Sequence, residues 1–192
     1  MNVYDFDDTL FDHNSTSGFY FYELRRHPGL ARFWPRQLWG FLLYGLRLID
    51  VTAMKSHLYC FLKGVSAAAD DAESFWDANI SHIHSWYAQR RRDDDLVISG
   101  SPYFIVAPAC RRLGIKRVLA SDVDPATGLV KGPNCSGNEK TARFKASPYF
   151  GPVEEFYSDS RHDQPMADMA RRAWLVRGER LVAWPWGKGS PR

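Results

Sequence analysis

Apolar positions recur along this chain in two rhythms. Residues 2–6 (NVYDF) are a short strand-like run, and helical spacing then takes over as far as Gln89. Residues 16–26 carry a dense aromatic stretch, FYFYEL, stopped by Pro28 and Gly29. A second helix is expected over 36–49 (RQLWGFLLYGLRLI), with Pro35 in its first turn, where a missing N–H does no harm. A third is expected over 51–62, closed by Gly64. A fourth is expected over 67–89, where Ala72, Trp76, Ile80, Ile83 and Tyr87 step along one helical face. From Asp95 onward, short apolar runs bounded by small residues alternate with helical spacing. Strands are expected at 95–102 (DLVISGSP, running into a loop), 116–121, 153–160 (a strand and its following loop), 173–177 and 181–184. Helices are expected at 103–113, 138–145 and 164–172, with a turn at 124–128 (DPATG). The tail, residues 187–192, is expected to fray.

Strand and helix in alternation predict an α/β fold: a Rossmann-like parallel sheet core with helices on both faces. The block of helices between the first two strands predicts a helical cap inserted after the first strand. The expected division is a core of residues 1–12 and 93–192 and a cap of residues 13–92. Such sheets bind ligands at the carboxyl ends of their strands. Asp5, Ser99 and Asp159 each fall at the end of an expected strand, so spacing alone brings them together.

Composition narrows the classes. A chain of 192 residues with 45% hydrophobic and 15% aromatic content is a folded globule, one domain or a domain with an insertion. A net charge of +3 is too mild to imply nucleic acid, and the basic pairs (Arg25–Arg26, Arg111–Arg112, Arg171–Arg172) read as solvated helix ends. Three scattered cysteines without a CxxC argue against a disulfide framework or a zinc site and suit a reducing compartment. The N-terminus has no basic stretch followed by an apolar core, so no signal peptide and a cytoplasmic location are expected.

The chemistry concentrates in DFDDTLFDHN, where Asp5, Asp7, Asp8 and Asp12 crowd together. Neighbouring carboxylates favour each other's protonation unless a cation offsets their charge. The fold brings Asp159 and Asp163 to the same end of the sheet. Oxygen-only donors with room for water select a hard ion, Mg2+ rather than zinc. Mg2+, the lysine Lys140 and the hydroxyl of Ser99 together suit a phosphoryl group. One carboxylate can then act as nucleophile, and another two residues away can serve as general acid and base.

DFDDT (residues 5–9), Ser99 in VISGSP, Lys140 in NEKTARF and SDSRHD (158–163) resemble the four motifs of the haloacid dehalogenase (HAD) superfamily. The resemblance is to its phosphatase branch and its phosphoserine phosphatase-like subgroup. It implies that Asp5 is the nucleophile and a metal ligand. Asp7 is then the general acid/base and binds the metal through its backbone carbonyl. Thr9 supports the loop beside the phosphate, Ser99 and the Gly100 amide hold the phosphate, and Lys140 pairs with Asp5 and the phosphate. Asp159 ligates Mg2+, with Asp163 as a further ligand or its partner. Residues 12–92 correspond to the family's cap. Phosphoserine phosphatases carry a glutamate nine residues after the nucleophile to read the substrate ammonium. Here that residue is Asn14, which argues against phosphoserine. Asn14 and His162 are the expected substrate contacts.

Two substrate readings stay open: a small phosphorylated metabolite, and a lipid phosphate handled at the membrane surface. VISGSP and YSDSRHDQPM are also similar to bacterial phosphatidylglycerophosphate phosphatases of the subgroup. LWGFLLYGLRLI is apolar nearly all round but too short to span a bilayer. Burial within the cap is the expected reading, and an interfacial helix flanked by Arg32, Arg36 and Arg47 the alternative. Asp8 and Asp12 read as solvent-facing or loop-capping. His82 and His84, two residues apart, do not share a helix face. A phosphoacceptor signalling domain is disfavoured by motif order, and a non-catalytic phospho-ligand binding module by the intact Asp7.

Overall fold

The computed structural model describes residues 1–187, so the expected fraying tail lies outside the described residues apart from Gly187. The strands are β1 (Asn2–Tyr4), β2 (Leu96–Pro102), β3 (Arg117–Val123), β4 (Val130–Lys131), β5 (Val153–Ser158), β6 (Ala170–Arg177) and β7 (Arg180–Ala183). They form one sheet in the order β4-β3-β2-β1-β5-β6-β7. β1 lies at its centre, parallel to β2 and β5, with Tyr4 opposite Val97 and Tyr157. β3 and β6 extend the parallel set, and the two edge strands β4 and β7 run antiparallel.

The helices are α1 (Ser15–Arg26), α2 (Trp34–Gly45), α3 (Val51–Leu58), α4 (Ala68–Asn79), α5 (Tyr87–Arg90), α6 (Tyr103–Arg112), α7 (Asn138–Ala146) and α8 (Gln164–Ala167). Successive strand residues point to opposite faces, and both faces here are covered. Tyr4, Val97 and Tyr157 enter one apolar cluster with residues of α1, α4 and α6. Val3, Leu96, Ile98 and Phe156 enter another with Phe144 of α7 and Met166 of α8. Double-sided burial explains why the central strands read as continuous apolar runs. Tyr4 and Tyr157 stack across β1 and β5 with ring centres 4.8 Å apart.

The α/β core with a mostly parallel sheet matches the expectation. The differences lie in individual elements. The fourth helix stops at Asn79, and residues 82–84 instead run beside residues 10–12. Phe11 bridges Ile83, the His84 N–H donates to the Leu10 carbonyl at 2.8 Å, and the Asp12 N–H donates to the His82 carbonyl at 3.1 Å. Tertiary pairing with the loop after β1 thus overrides helical periodicity. The helix expected over 164–172 yields after Ala167, because Ala170 already pairs with Val153 as the start of β6. β4 was not foreseen: two residues carry too little pattern, but they pair back on β3 across the expected turn, where Asp124 Oδ1 accepts from the N–H groups of Ala126 and Thr127.

The expected burial of the second helix does not hold. In α2 only Gln37 and Gly40 are buried, while Leu38 is 66% and Trp39 55% exposed. Its inner side meets α3 closely: a Cβ at Gly40 would sit 2.3 Å from His57 Cβ, so only glycine allows this approach. A second close contact joins the cap to the β3–β4 turn. Gly128 has φ +72°, and a Cβ there would lie 2.1 Å from the Tyr59 carbonyl oxygen. By contrast, α1 and α4 pack into the core cluster, and the Trp76 indole N–H donates to the Ile105 carbonyl at 2.7 Å. Among the described residues no helix is long and apolar enough to cross a membrane. All three cysteines are free and buried.

Candidate active site

The chain leaves β1 at Asp5, whose N–H still donates to the Tyr157 carbonyl at 2.9 Å. It then turns sharply: the N–H groups of Leu10 and Phe11 both donate back to the Phe6 carbonyl. The turn requires φ +54° at Asp8, a left-handed conformation that aspartate tolerates better than bulkier residues. Phe6, Leu10 and Phe11 are buried and anchor it, leaving Asp5, Asp7 and Asp8 on a cleft of about 630 Å³.

Each expected residue can now be located. Asp5 Oδ1 accepts from Lys140 Nζ at 2.8 Å, and the same ammonium donates to Asp163 Oδ2 at 2.7 Å. Asp163 is buried and also accepts from Ser158 Oγ at 2.8 Å, so one of its oxygens is committed to holding the lysine. Thr9 is buried away from the cleft: its Oγ1 accepts from the Asp159 N–H at 3.0 Å and ties the first loop to the last. It ties the loops together and does not line the cleft, so the expected phosphate contact of Thr9 is not supported. Ser99 is also fully buried, its Oγ accepting from the Ser101 N–H, while Gly100 and Ser101 line the cleft in front of it. Asn14 and His162 both line the cleft. The Asn14 Oδ1, however, caps α1 by accepting from the Ser17 N–H at 2.9 Å.

Asp7 is held from two sides. Its Oδ1 accepts from the Ser15 N–H at 2.8 Å, at the positive end of α1, and its Oδ2 accepts from the Ser101 hydroxyl. Thr16 Oγ1 meets the same hydroxyl at 2.8 Å. The cap's first helix therefore orients the candidate acid/base directly.

Burial lifts the Asp5 carboxyl well above the usual carboxylate range; Lys140 opposes that lift, and Asp163 and Asp7 add to it. Burial also lifts Asp159, reinforced by the charge of Asp8. For Lys140, burial works against the charge, but Asp5 and Asp163 outweigh it and hold the ammonium above the usual lysine range. Among the described residues, five carboxylates (Asp5, Asp7, Asp8, Asp159 and Asp163) line the cleft against two ammonium groups. This surplus of negative oxygen donors fits a hard divalent cation. The fit is open: among the described residues, the three His, Cys, Asp or Glu side chains whose donor atoms gather within 4.8 Å are the exposed Asp12, His13 and His82. Asp5, Asp159 and Asp163 are not gathered that closely, and Mg2+ is an ion that keeps several waters when only a few carboxylates reach it.

Several residues were not foreseen. Lys55, from α3, reaches into the cleft and donates from Nζ to the Gly100 carbonyl at 2.7 Å. Burial holds its ammonium below the usual lysine range, against the pull of Asp7 and Asp5. A single charge in VTAMKSHL was the available signal. Ser101 was overlooked beside Ser99, although SGS offers both hydroxyls. Asp8, read as solvent-facing, is exposed yet faces the cleft. Asp12 meets His82 at 3.1 Å as well as His13, because the broken fourth helix swings His82 over the first loop.

A search of curated proteins finds no match. Among solved structures, a protein of unknown function from Bordetella pertussis Tohama I superposes with a TM-score of 0.74 at 19% identity, over 90% of this chain and 87% of the other. A phosphoserine phosphohydrolase-like protein from Francisella tularensis gives 0.57 at 16% identity, over 90% and 86%. A phospho-aspartyl intermediate analogue of phosphoserine phosphatase gives 0.51 at 15%, over 89% and 83%. At these identities the likeness speaks for the fold. The sequence itself matches the haloacid dehalogenase-like hydrolases over residues 3–168, a span that takes in all four motif segments. The chain belongs to the haloacid dehalogenase-like hydrolase family.

Proposed function

We propose that the protein is a Mg2+-dependent phosphomonoester hydrolase working through an aspartyl-phosphate on Asp5. The observation that carries this reading is the buried Lys140 bridging Asp5 and Asp163 at the mouth of the central strand. A lysine there favours the ionised form of the attacking carboxyl group against the lift from burial, and would meet the oxygens of a bound phosphoryl group. Mg2+ would be held by the Asp5 and Asp159 carboxylates, the Asp7 carbonyl and Asp163, and would supply further neutralisation of phosphoryl charge.

The carboxylate of Asp5 attacks phosphorus, and the ester oxygen leaves. Asp7 gives that oxygen a proton and becomes a carboxylate. Asp7 then takes a proton from water, which attacks the acyl phosphate and frees inorganic phosphate and Asp5. The Ser15 N–H and Ser101 hydroxyl hold Asp7 in place through both steps. Gly100 and Ser101 supply the turn against which the phosphate rests. The substrate is a phosphorylated small molecule. Contact with a membrane surface is favoured by one observation, the outward apolar residues of α2 beside exposed Arg36 and Arg47.

The test is release of inorganic phosphate from p-nitrophenyl phosphate and a panel of amino-acid, sugar and lipid phosphates. Turnover is expected with Mg2+ and is lost on chelation. No release from any ester in the presence of Mg2+ would leave a non-catalytic phospho-ligand module.

A further inference from the structure

We propose that a groove in the cap, continuous with the catalytic cleft, is a subsite for hydrocarbon, so that the substrate is an amphiphilic phosphomonoester. The proposal rests on the phosphatase reading above and adds to it the class of leaving group. The groove encloses about 370 Å³ between α1 and α2, large enough for a substantial apolar ligand segment. It shares Thr16, Ser17, Phe41 and Leu58 with the cleft that contains Asp5 and Lys140. A molecule whose phosphate meets Asp5 therefore has a direct apolar path for whatever is attached to it.

The groove walls are chemically suited to hydrocarbon and little else. Among the described residues no charged side chain lines it. Three of its polar side chains are joined in a hydrogen-bonded chain: the Trp34 indole N–H donates to Tyr20 Oη at 2.8 Å, the Tyr20 hydroxyl to Gln37 Oε1 at 3.0 Å, and the Gln37 amide to the Leu58 carbonyl at 2.9 Å, while Thr16 Oγ1 meets the Ser101 hydroxyl. A sugar or amino-acid group placed here would leave water and find few partners, which is unfavourable. Phe21 and Leu38 stand exposed at the rim, so the apolar surface carries on outward beyond the groove. At the other end, Lys55 and Lys140 would receive a phosphate together with the divalent cation that the surplus of carboxylates would hold. Charge at one end and hydrocarbon at the other is the pattern of an amphiphile.

The test is a series of n-alkyl phosphates, ethyl to octyl, each kept below its micelle-forming concentration with Mg2+ present. Each methylene that enters the groove is expected to raise kcat/KM roughly fourfold until the groove is filled. Leu38→Gln and Phe21→Gln are expected to lower the octyl-to-ethyl ratio at least threefold, with thermal melts checking that each variant folds. A kcat/KM independent of chain length overturns the proposal and leaves the phosphatase reading intact. A groove that serves a partner protein or a second copy of the chain gives this same flat series. If none of the esters is hydrolysed, the phosphatase reading fails instead. The subsite is then decided by calorimetric titration with n-alkyl phosphonates: affinity rising with chain length sustains it, and equal affinities remove it. Two arms separate the sources of the tail. Hydrolysis of phosphatidic acid in phosphatidylcholine vesicles assigns it to membrane lipid, and hydrolysis of monomeric octyl phosphate alone assigns it to a soluble amphiphile; both sustain the subsite.

Discussion

On the core side of the cleft, charge is buried and paired: Lys140 sits between Asp5 and Asp163, and Ser158 completes the bonding of Asp163. On the cap side, apolar side chains face outward: Leu38, Trp39, Phe41 and Leu42 of α2 stand in solvent. Each wall reverses the usual rule that apolar groups go inside and charges outside. The two reversals have different physical meanings. A buried charge is tolerated only where the backbone fixes its partner, so the core wall is rigid and specifies one arrangement. An exposed apolar face is stable with or without an occupant, so the cap wall is free to choose ligands by shape and hydrophobicity. On the proposed phosphatase reading, chemistry belongs to the first wall and selection to the second.

The sharpest way to break this division is to remove the attacking carboxylate. Asp5→Asn replaces it by an amide that cannot form an acyl phosphate, and kcat is expected to fall by more than ~10⁴-fold. The measurement is phosphate release with Mg2+ in excess, and a variant of full activity would remove Asp5 from the covalent role. The next largest effect is on stability. Lys140→Ala leaves the buried Asp163 and the part-buried Asp5 without their shared cation and is expected to destabilise the fold by about 2–3 kcal/mol. Urea unfolding reads this as a lower midpoint at unchanged slope. A midpoint equal to that of the parent protein would mean that the core wall does not depend on the pair.

The same contrast explains what the sequence made legible. Asp5, Lys140, Asp159 and Asp163 could be placed because strand ends and a helix start fix where their side chains go. The sheet fixes those ends through its register: Tyr4 lies opposite both Val97 and Tyr157. Periodicity named the helices of the cap but not their faces. α2 carries large apolar residues nearly all round, so their spacing did not tell which side was inward, and Gly40 rather than a large residue marks the contact with α3. The break at Asn79 was hidden for a related reason. The residues Ala72, Trp76 and Tyr87 are buried as the helical spacing implied, yet Ile83 reaches its place by pairing with Phe11. Lys55 and Ser101 escaped because their roles come from the cap closing over the Gly100 turn, a contact between segments that no local pattern records.

The smallest effect probes a buried carboxylate of α1 that has no hydrogen-bond partner among the described residues. Glu23 of α1 is fully buried, and neither of its oxygens makes a hydrogen bond among the described residues. Burial lifts its carboxyl to about 7; Asp71 adds to the lift, and Arg26 opposes it. A solvated glutamate titrates near ~4.3. Below that pH both folded and unfolded chains carry the proton, and the group is neutral in its effect. As the pH rises toward 7 the unfolded chain loses its proton first, so it binds fewer protons than the native state and stability falls. Above 7 the full penalty is present. Arg26, at 3.8 Å, and His27, at 3.9 Å, recover part of it. Glu23→Gln removes the titration, so its stability relative to the parent protein is expected to improve by about 1–2 kcal/mol between pH 4 and pH 8. Thermal or urea unfolding at the two pH values measures the difference. A constant offset between the two proteins across that range would show that Glu23 is solvated or paired in solution, and that the cap handles buried charge as the core does.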